Sequence, residues 1–313
     1  MKAVVLKDFG NVDNLTIKEI PIPTILENEV LVQVKAISIN PVDIKTRTGK
    51  ALAEKLKGEN PLILGWDISG IVTEVGSAVT SFKKGDEVFG MVNFPGHGKA
   101  YAEYVAAPAT HLALKPKNIS HQAAAAATLA ALTAWQAIVT SAKIKAGQKV
   151  LIHAAAGGVG HYAVQIAKHL GAYVIGTSSS RNKNFVLDLG ADEHFDYQKQ
   201  RFEDISNSID FVLDTIGGEN TNHSVDTAKK GAIVISLPSG LSEDVAEKAK
   251  AKGVNAYFLM VQSNGEDMKS IAHLLQAGKI KSHIMNIYTL DQIAEAHLQI
   301  ETGRTQGKIV ITL

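Results

Sequence analysis

The residues most able to do chemistry lie in one stretch near the middle of the 313-residue chain. Gly157, Gly158, Val159 and Gly160 follow the apolar run Val150-Leu151-Ile152 and precede a helix-forming segment. Glycines at this spacing allow a tight turn whose backbone N–H groups can approach a pyrophosphate, and the following helix offers its positive end to the same anion. The next apolar run, Val174-Ile175, ends at Gly176-Thr177, and the polar loop behind it reads Thr177-Ser178-Ser179-Ser180-Arg181-Asn182-Lys183. A site for NAD places an acid there to receive the ribose 2′-hydroxyl, yet no acid occurs before Asp188. Serine hydroxyls with two cations suit a 2′-phosphate, so NADPH is expected rather than NADH. The competing reading is a glycine turn of any α/β protein, followed by a solvated polar loop.

Other groups are weighed against plainer roles. His153 and His161 flank the glycine turn and fit structural histidines better than phosphate ligands. Asp214 ends an apolar run and suits a cap for the turn at Gly217-Gly218. His97, Tyr101 and Tyr104 could serve as acids, although a glycine-rich loop and a strand explain them without chemistry. Tyr-x-x-x-Lys, G-x-S-x-G and Walker A patterns are absent; the segment from Gly303 to Lys308 brushes the last of these but leads into a strand, where a phosphate loop opens a helix.

Positioning such a site takes a large core, and the length suggests about two domains. Hydrophobic residues make up 45% and charged residues 20%, as in a globular chain. With 32 basic and 31 acidic side chains, the net charge of +1 gives no field to draw in nucleic acid or an anionic membrane. Cysteine is absent, which excludes disulfides, thiolate-bound zinc or iron–sulfur sites and a cysteine nucleophile. The start, MKAVVLKDFG, enters an alternating strand without a signal-peptide core, and no apolar run approaches a membrane span. A cytoplasmic protein without membrane insertion is expected.

The first part of the chain reads as β: residues 3–6, 15–17, 29–39, 68–75, 87–92, 100–107 and 111–114. Asn40-Pro41 stops the third strand, and residues 42–48 fit a short helix. Residues 121–139, rich in alanine, predict a nearly unbroken buried helix. From residue 147 the pattern becomes β/α repetition, with strands at 149–153, 172–177, 193–197, 209–214, 231–236 and 254–259. Helices fit at 159–170, 181–189, 218–228, 242–252 and 265–277, which implies a parallel, doubly wound sheet of six strands. Loops at the strand carboxyl ends should converge on one site. The tail reads strand (284–288), helix (290–302) and strand (308–313).

This order resembles the medium-chain dehydrogenase/reductase superfamily, in particular its zinc-independent quinone oxidoreductase and enone (alkenal) reductase branch. The residues that carry the resemblance are Gly147-Gln148, Leu151, Ala155-Ala156-Gly157-Gly158, Gly160, Gln165 and Lys168, with Asn40-Pro41-Val42-Asp43-Ile44-Lys45, Leu132-Thr133-Ala134-Trp135 and Gly307-Lys308-Ile309-Val310. Ala155 stands at the first glycine position of G-x-G-x-x-G, as in that branch. The resemblance implies an inserted Rossmann-type doubly wound sheet and a GroES-like β-barrel domain built from both chain ends. Expected boundaries are 1–118 for the catalytic domain, 119–260 for the nucleotide domain and 261–313 for the return.

Zinc alcohol dehydrogenases place a cysteine where Asn40 stands and a histidine where Trp66 stands, so the resemblance implies no metal. For the 2′-phosphate it points to Ser178, Ser179, Ser180, Arg181, Lys183 and Tyr197. Thr128, Thr177, Leu237, Phe258, Arg304 and Lys45 complete the expected cofactor set. Asn40, Asp43 and Lys45 are the expected catalytic residues: Asn40 and Lys45 to donate to a developing oxyanion, and Asp43 to orient Lys45 or a water. The implied activity is hydride transfer from NADPH to a quinone or to the C=C bond of an α,β-unsaturated carbonyl, by a homodimer. A catalytically weak NADPH-binding redox sensor of the same fold is the alternative.

Overall fold

The structure, a computed structural model, describes residues 1–204 and 208–313. It divides into two compact units, Met1–Leu132 with Val261–Leu313, and Thr133–Met260.

In the first unit β1 (Lys2–Leu6) and β2 (Leu15–Glu19) form an antiparallel pair. The long β3 (Glu29–Ile39) runs antiparallel to β4 (Asp67–Val75), which in turn pairs with β5 (Glu87–Met91). On its other edge, the first half of β3 pairs with β6 (Tyr104–Pro108), while β7 (Leu112–Leu114) extends the sheet beyond β5. Residues 100–103, expected to be strand, make a single bridge from Ala102 to Ala3. The helix α1 (Pro41–Arg47) begins where β3 stops, with proline at the first helical position, where its missing N–H costs nothing. A short α2 (Ala53–Leu56) follows.

The expected long alanine helix is broken into α3 (His121–Ala126), α4 (Leu129–Trp135) and a further π-helical turn. The cause is a tertiary bond that overrides helix propensity. Leu129 N–H is taken by the buried carboxylate of Asp67 (3.0 Å), so the helix restarts there. Alanine serves for close packing, because Ala125 and Ala126 lie against Ala36 and Val310. The helix α3 therefore belongs to the first unit, and the junction falls within α4 rather than after residue 118.

The second unit is a six-stranded sheet, every neighbouring pair parallel. Its strands are β8 (Lys149–Ile152), β9 (Tyr173–Ser178), β10 (Glu193–Asp196), β11 (Ile209–Asp214), β12 (Ala228–Ser236) and β13 (Asn255–Phe258), in the order β10-β9-β8-β11-β12-β13. The order reverses at β8, which marks the ligand crevice of doubly wound sheets. The helices are α5 (Gly160–His169), α6 (Lys183–Asp188), α7 (Glu219–Thr227) and α8 (Glu243–Lys252). Leu151, Val212, Val225, Val234 and Val245 form the core on one face. Ala155 fits the first glycine position because Gly176 faces it: a Cβ added at Gly176 would lie 2.9 Å from that of Ala155 and 2.6 Å from Val186 Cγ1.

The chain then returns to the first unit through α9 (Gly265–Gln276), β14 (Ile284–Thr289), α10 (Ile293–Glu301) and β15 (Lys308–Thr312). The strand β15 runs antiparallel to the second half of β3, and β14 pairs parallel to β15.

Candidate active site

In the first unit the centre is a buried carboxylate. Asp67 Oδ2 accepts from Ser38 Oγ (2.6 Å) and Asn40 Nδ2 (2.7 Å), and its Oδ1 accepts from Leu129 N. Lys308 Nζ lies 3.8 Å from Oδ2 and donates to Ile39 O (3.1 Å) and Asn40 Oδ1. Both ends of the Asn40 amide are thus held, and the residue is only 2% exposed. Burial pulls the Lys308 ammonium down, while the charges of Asp67 and Asp43 pull it back up.

Asp43 does not play the expected part of orienting Lys45. It is fully buried, and its Oδ2 reaches back to accept Asn40 N–H (2.7 Å), as an N3 acid does at a helix start. Burial raises its pKa to about 7, against the lowering by that N–H and with the help of the Asp67 charge. Lys45, one turn of chain away, has an exposed side chain. Tyr101 is also fully buried, and its hydroxyl lies 3.0 Å from His297 Nε2 on α10. Burial and then the Asp43 charge push the phenol well above its usual range. Burial and the Arg47 cation hold His297 down at about 3, so the ring beside the phenol is neutral. Arg47 on α1 pairs with Glu301 on α10.

In the second unit the glycine turn joins β8 to α5. A Cβ at Gly160 would sit 2.2 Å from Ala154 O, so only glycine lets the helix approach the turn. His161 Nδ1 lies 2.9 Å from Gly157 O, and His153 bridges Thr177 Oγ1 and Ser224 Oγ, both at 3.0 Å. These histidines hold the turn and the end of β9. Asp214 accepts from Ile216 N (2.8 Å), Gly217 N (3.1 Å), Asn220 Nδ2 (2.8 Å) and Thr221 Oγ1 (2.5 Å), which builds the turn after β11.

The cationic loop divides by direction. Thr177 and Ser178 are buried, and Ser178 Oγ lies 2.7 Å from His194 Nε2. Ser179 is half-buried, and Ser180, Arg181 and Lys183 are exposed, as is Tyr197 (58%) at the end of β10. Neither Arg181 nor Lys183 pairs with a carboxylate among the described residues. Leu237, half-buried, and Phe258, 37% exposed, end β12 and β13. In the first unit Thr128 is fully buried, its hydroxyl spent on Ala125 O (2.8 Å), which leaves it no evident part in binding a nucleotide. Arg304 is exposed near the end of α10. Of the candidate acids, Tyr104 accepts from Gln33 Nε2 (3.3 Å) and His97 meets Ile63 O (2.9 Å). The sequence reading missed Asp67, the Lys308 contact, His297 and His194. A charged residue directly after Trp66 and another in the closing strand were the available signals.

The chain matches the family description "Alcohol dehydrogenase GroES-like domain" over residues 26–117 and "Zinc-binding dehydrogenase" over residues 189–311. The 2-methylene-furan-3-one reductase of Solanum lycopersicum is 36% identical over 322 residues, covering 99% of this chain and 79% of the relative. The chloroplastic NADPH-dependent alkenal/one oxidoreductase of Arabidopsis thaliana is 35% identical over 321 residues, with the same coverage. The solved quinone oxidoreductase from Coxiella burnetii superposes with a TM-score of 0.94 at 39% identity, covering 100% of this chain and 99% of that one. The chain belongs to the medium-chain dehydrogenase/reductase superfamily. Within it, the similar proteins are quinone oxidoreductases and alkenal reductases.

The zinc of the family description does not fit these residues. Cysteine is absent, Asn40 is bonded to Asp67 and Lys308, and Trp66 donates Nε1–H to Gly96 O (2.7 Å) with Phe94 edge-on. Among the described residues no three His, Asp or Glu side chains gather as metal ligands.

The Asp43 ionisation has a measurable sign. Its pKa is about 7 in the fold against an ordinary 3.8, so its contribution to stability is complete below about pH 4 and is lost as pH rises through 7. Asp43→Asn should remove that part of the decline in thermal midpoint between about pH 5 and pH 8; an unchanged slope in the variant would refute the assignment.

Proposed function

We propose that the chain is an NADPH-dependent oxidoreductase that delivers hydride to a quinone or to the C=C bond of an α,β-unsaturated carbonyl without a metal. The observation that carries it is the exposed pair Arg181 and Lys183, without a carboxylate partner among the described residues, behind a glycine turn on a doubly wound sheet. The relatives named as alkenal/one, furanone and quinone reductases support the acceptor class.

When bound, the dinucleotide supplies the hydride. The backbone at Gly157, Gly158, Val159 and Gly160, with the positive end of α5, would hold its pyrophosphate. Arg181, Lys183, Ser179, Ser180 and Tyr197 would hold the 2′-phosphate, and Leu237 and Phe258 would border the nicotinamide. Thr177 and Ser178 shape the loop from beneath. Lys45 would donate to the oxyanion that develops on the acceptor, with Asn40, whose orientation Asp67 and Lys308 fix, as a second donor group. A proton from solvent would serve, and rate would arise from placement and fixed dipoles rather than Lewis-acid chemistry.

Two further readings belong to this proposal. Dimerisation through β13 would cover a sheet edge that carries exposed Phe258 and neighbours exposed Met260. Light scattering should give twice the monomer mass; a monomer removes the idea. Residence is proposed to be cytoplasmic. Among the described residues no helix is long and apolar enough to cross a membrane.

NADPH oxidation with a panel of enones and quinones, with products identified, tests the activity. Turnover on one of these classes is expected, while tight NADPH binding without turnover on any would leave a sensor instead. Each charge-assisted phosphate bond is worth about 1.5–3 kcal/mol, and about 1.4 kcal/mol is tenfold in affinity. Arg181→Ala or Lys183→Ala should therefore weaken NADPH at least about tenfold and leave NADH nearly unchanged. Equal losses for both cofactors would show that the loop does not read the phosphate.

A further inference from the structure

His194 lies in β10, where its neighbour across the ladder is Gly176, and Asp196 is likewise opposite Ser178. With a strand period of two, His194, Asp196, Gly176 and Ser178 share one face of the sheet. The ring is half-buried beneath the loop that ends in Arg181 and Lys183. Its Nε2 is 2.7 Å from Ser178 Oγ, and that hydroxyl has a second acceptor in Ser179 O (3.2 Å). Ser178 can thus send its proton to the Ser179 carbonyl and accept one from the ring, a bond open to both the neutral and the charged imidazole.

Two charged groups act on the ring: Lys183, which opens α6, and Asp196, which follows on β10 itself. Burial and the Lys183 charge hold the imidazole below its ordinary 6.5, and Asp196 opposes them. A charged ring there would stand beside the Lys183 cation, which disfavours it. A phosphate dianion reverses that balance, since it neutralises the lysine and attracts an imidazolium.

We propose that His194 is a specificity residue of the nucleotide loop, taking up a proton when a 2′-phosphorylated dinucleotide binds and so favouring NADPH over NADH most on the acidic side of neutrality. This rests on the NADPH reading above. The complex then binds more protons than the free protein, so affinity falls as pH rises through the range between the two pKa values of the ring.

The test titrates the full chain with NADPH and with NADH, wild type beside His194→Val, at about pH 6 and about pH 8.5. Valine suits a strand and keeps the fold testable. Comparison with the variant also cancels the phosphate's own ionisation. A one-unit rise in the ring's pKa on binding corresponds to a tenfold change. That tenfold is the ceiling, reached only below the free ring's own pKa, so wild type should bind NADPH severalfold tighter than the variant near pH 6, the two should converge near pH 8.5, and NADH should be indifferent to both changes. Calorimetry near pH 7 in buffers of different protonation enthalpy should show more proton uptake by the wild type. Ser178→Ala, which frees the ring but keeps it, should retain the pH dependence.

A pH-independent loss in His194→Val, an equal loss for NADH, or loss of the pH dependence in Ser178→Ala would mark the pair as a structural tie and overturn the proposal. If wild type binds both dinucleotides alike, or neither, the cofactor reading falls and this inference with it. If NADPH is preferred and the variant matches wild type at both pH values, only the inference falls.

Discussion

A buried carboxylate is costly unless its hydrogen bonds and a counter-charge accompany it into the core. Asp67 meets that demand with three donors and a counter-charge from four places in the chain: Ser38 near the end of β3, Asn40 at the start of α1 and Leu129 at the start of α4 donate, and Lys308 at the start of β15 supplies the charge. Each partner lies at or near a junction between elements rather than in the middle of one. The turn from strand into helix at Asn40, the break in the alanine helix and the docking of the last strand are three results of one requirement. Asn40, the residue whose type suggested chemistry, is held in place by it.

The second unit reaches order by other means. Its sheet is built from parallel strands, the inner ones largely buried, and its loops are fixed by small residues and hydrogen bonds. Gly160 and Gly176 let backbone and helix approach closely, and Asp214 gathers the turn after β11. At the end of β9 and in the loop beyond it, the buried hydroxyls lie inward and the cations are exposed. Exposed cations above a buried polar floor are suited to a ligand that carries concentrated charge.

The sequence made most of this architecture legible because the signals were local. Periods of two and about three and a half residues identified the strands and helices of the nucleotide unit, and the glycine spacing identified its turn. What escaped was contact between distant residues. Asn40 and Lys308 are 268 positions apart, and no periodicity links them. Leu129 looked like the middle of a helix because propensity favours one there; an acid 62 residues earlier decided otherwise. Asp43 looked like a partner for Lys45 because the two are adjacent on a short helix, but burial turned the carboxylate toward Asn40. Ser178 was read as a phosphate ligand, and only the pairing of β9 with β10 reveals the histidine beneath it.

The return of β15 to β3 also imposes an order on biosynthesis. The second unit is continuous in sequence, from Thr133 to Met260, so all its strands are available before the tail is made. The first unit has no such autonomy. Its longest strand leaves half an edge open, and its central acid lacks an ammonium, until Lys308–Thr312, which follows the whole second unit in the chain, has been made. The strands that precede the second unit are therefore made well before the sheet they belong to can close.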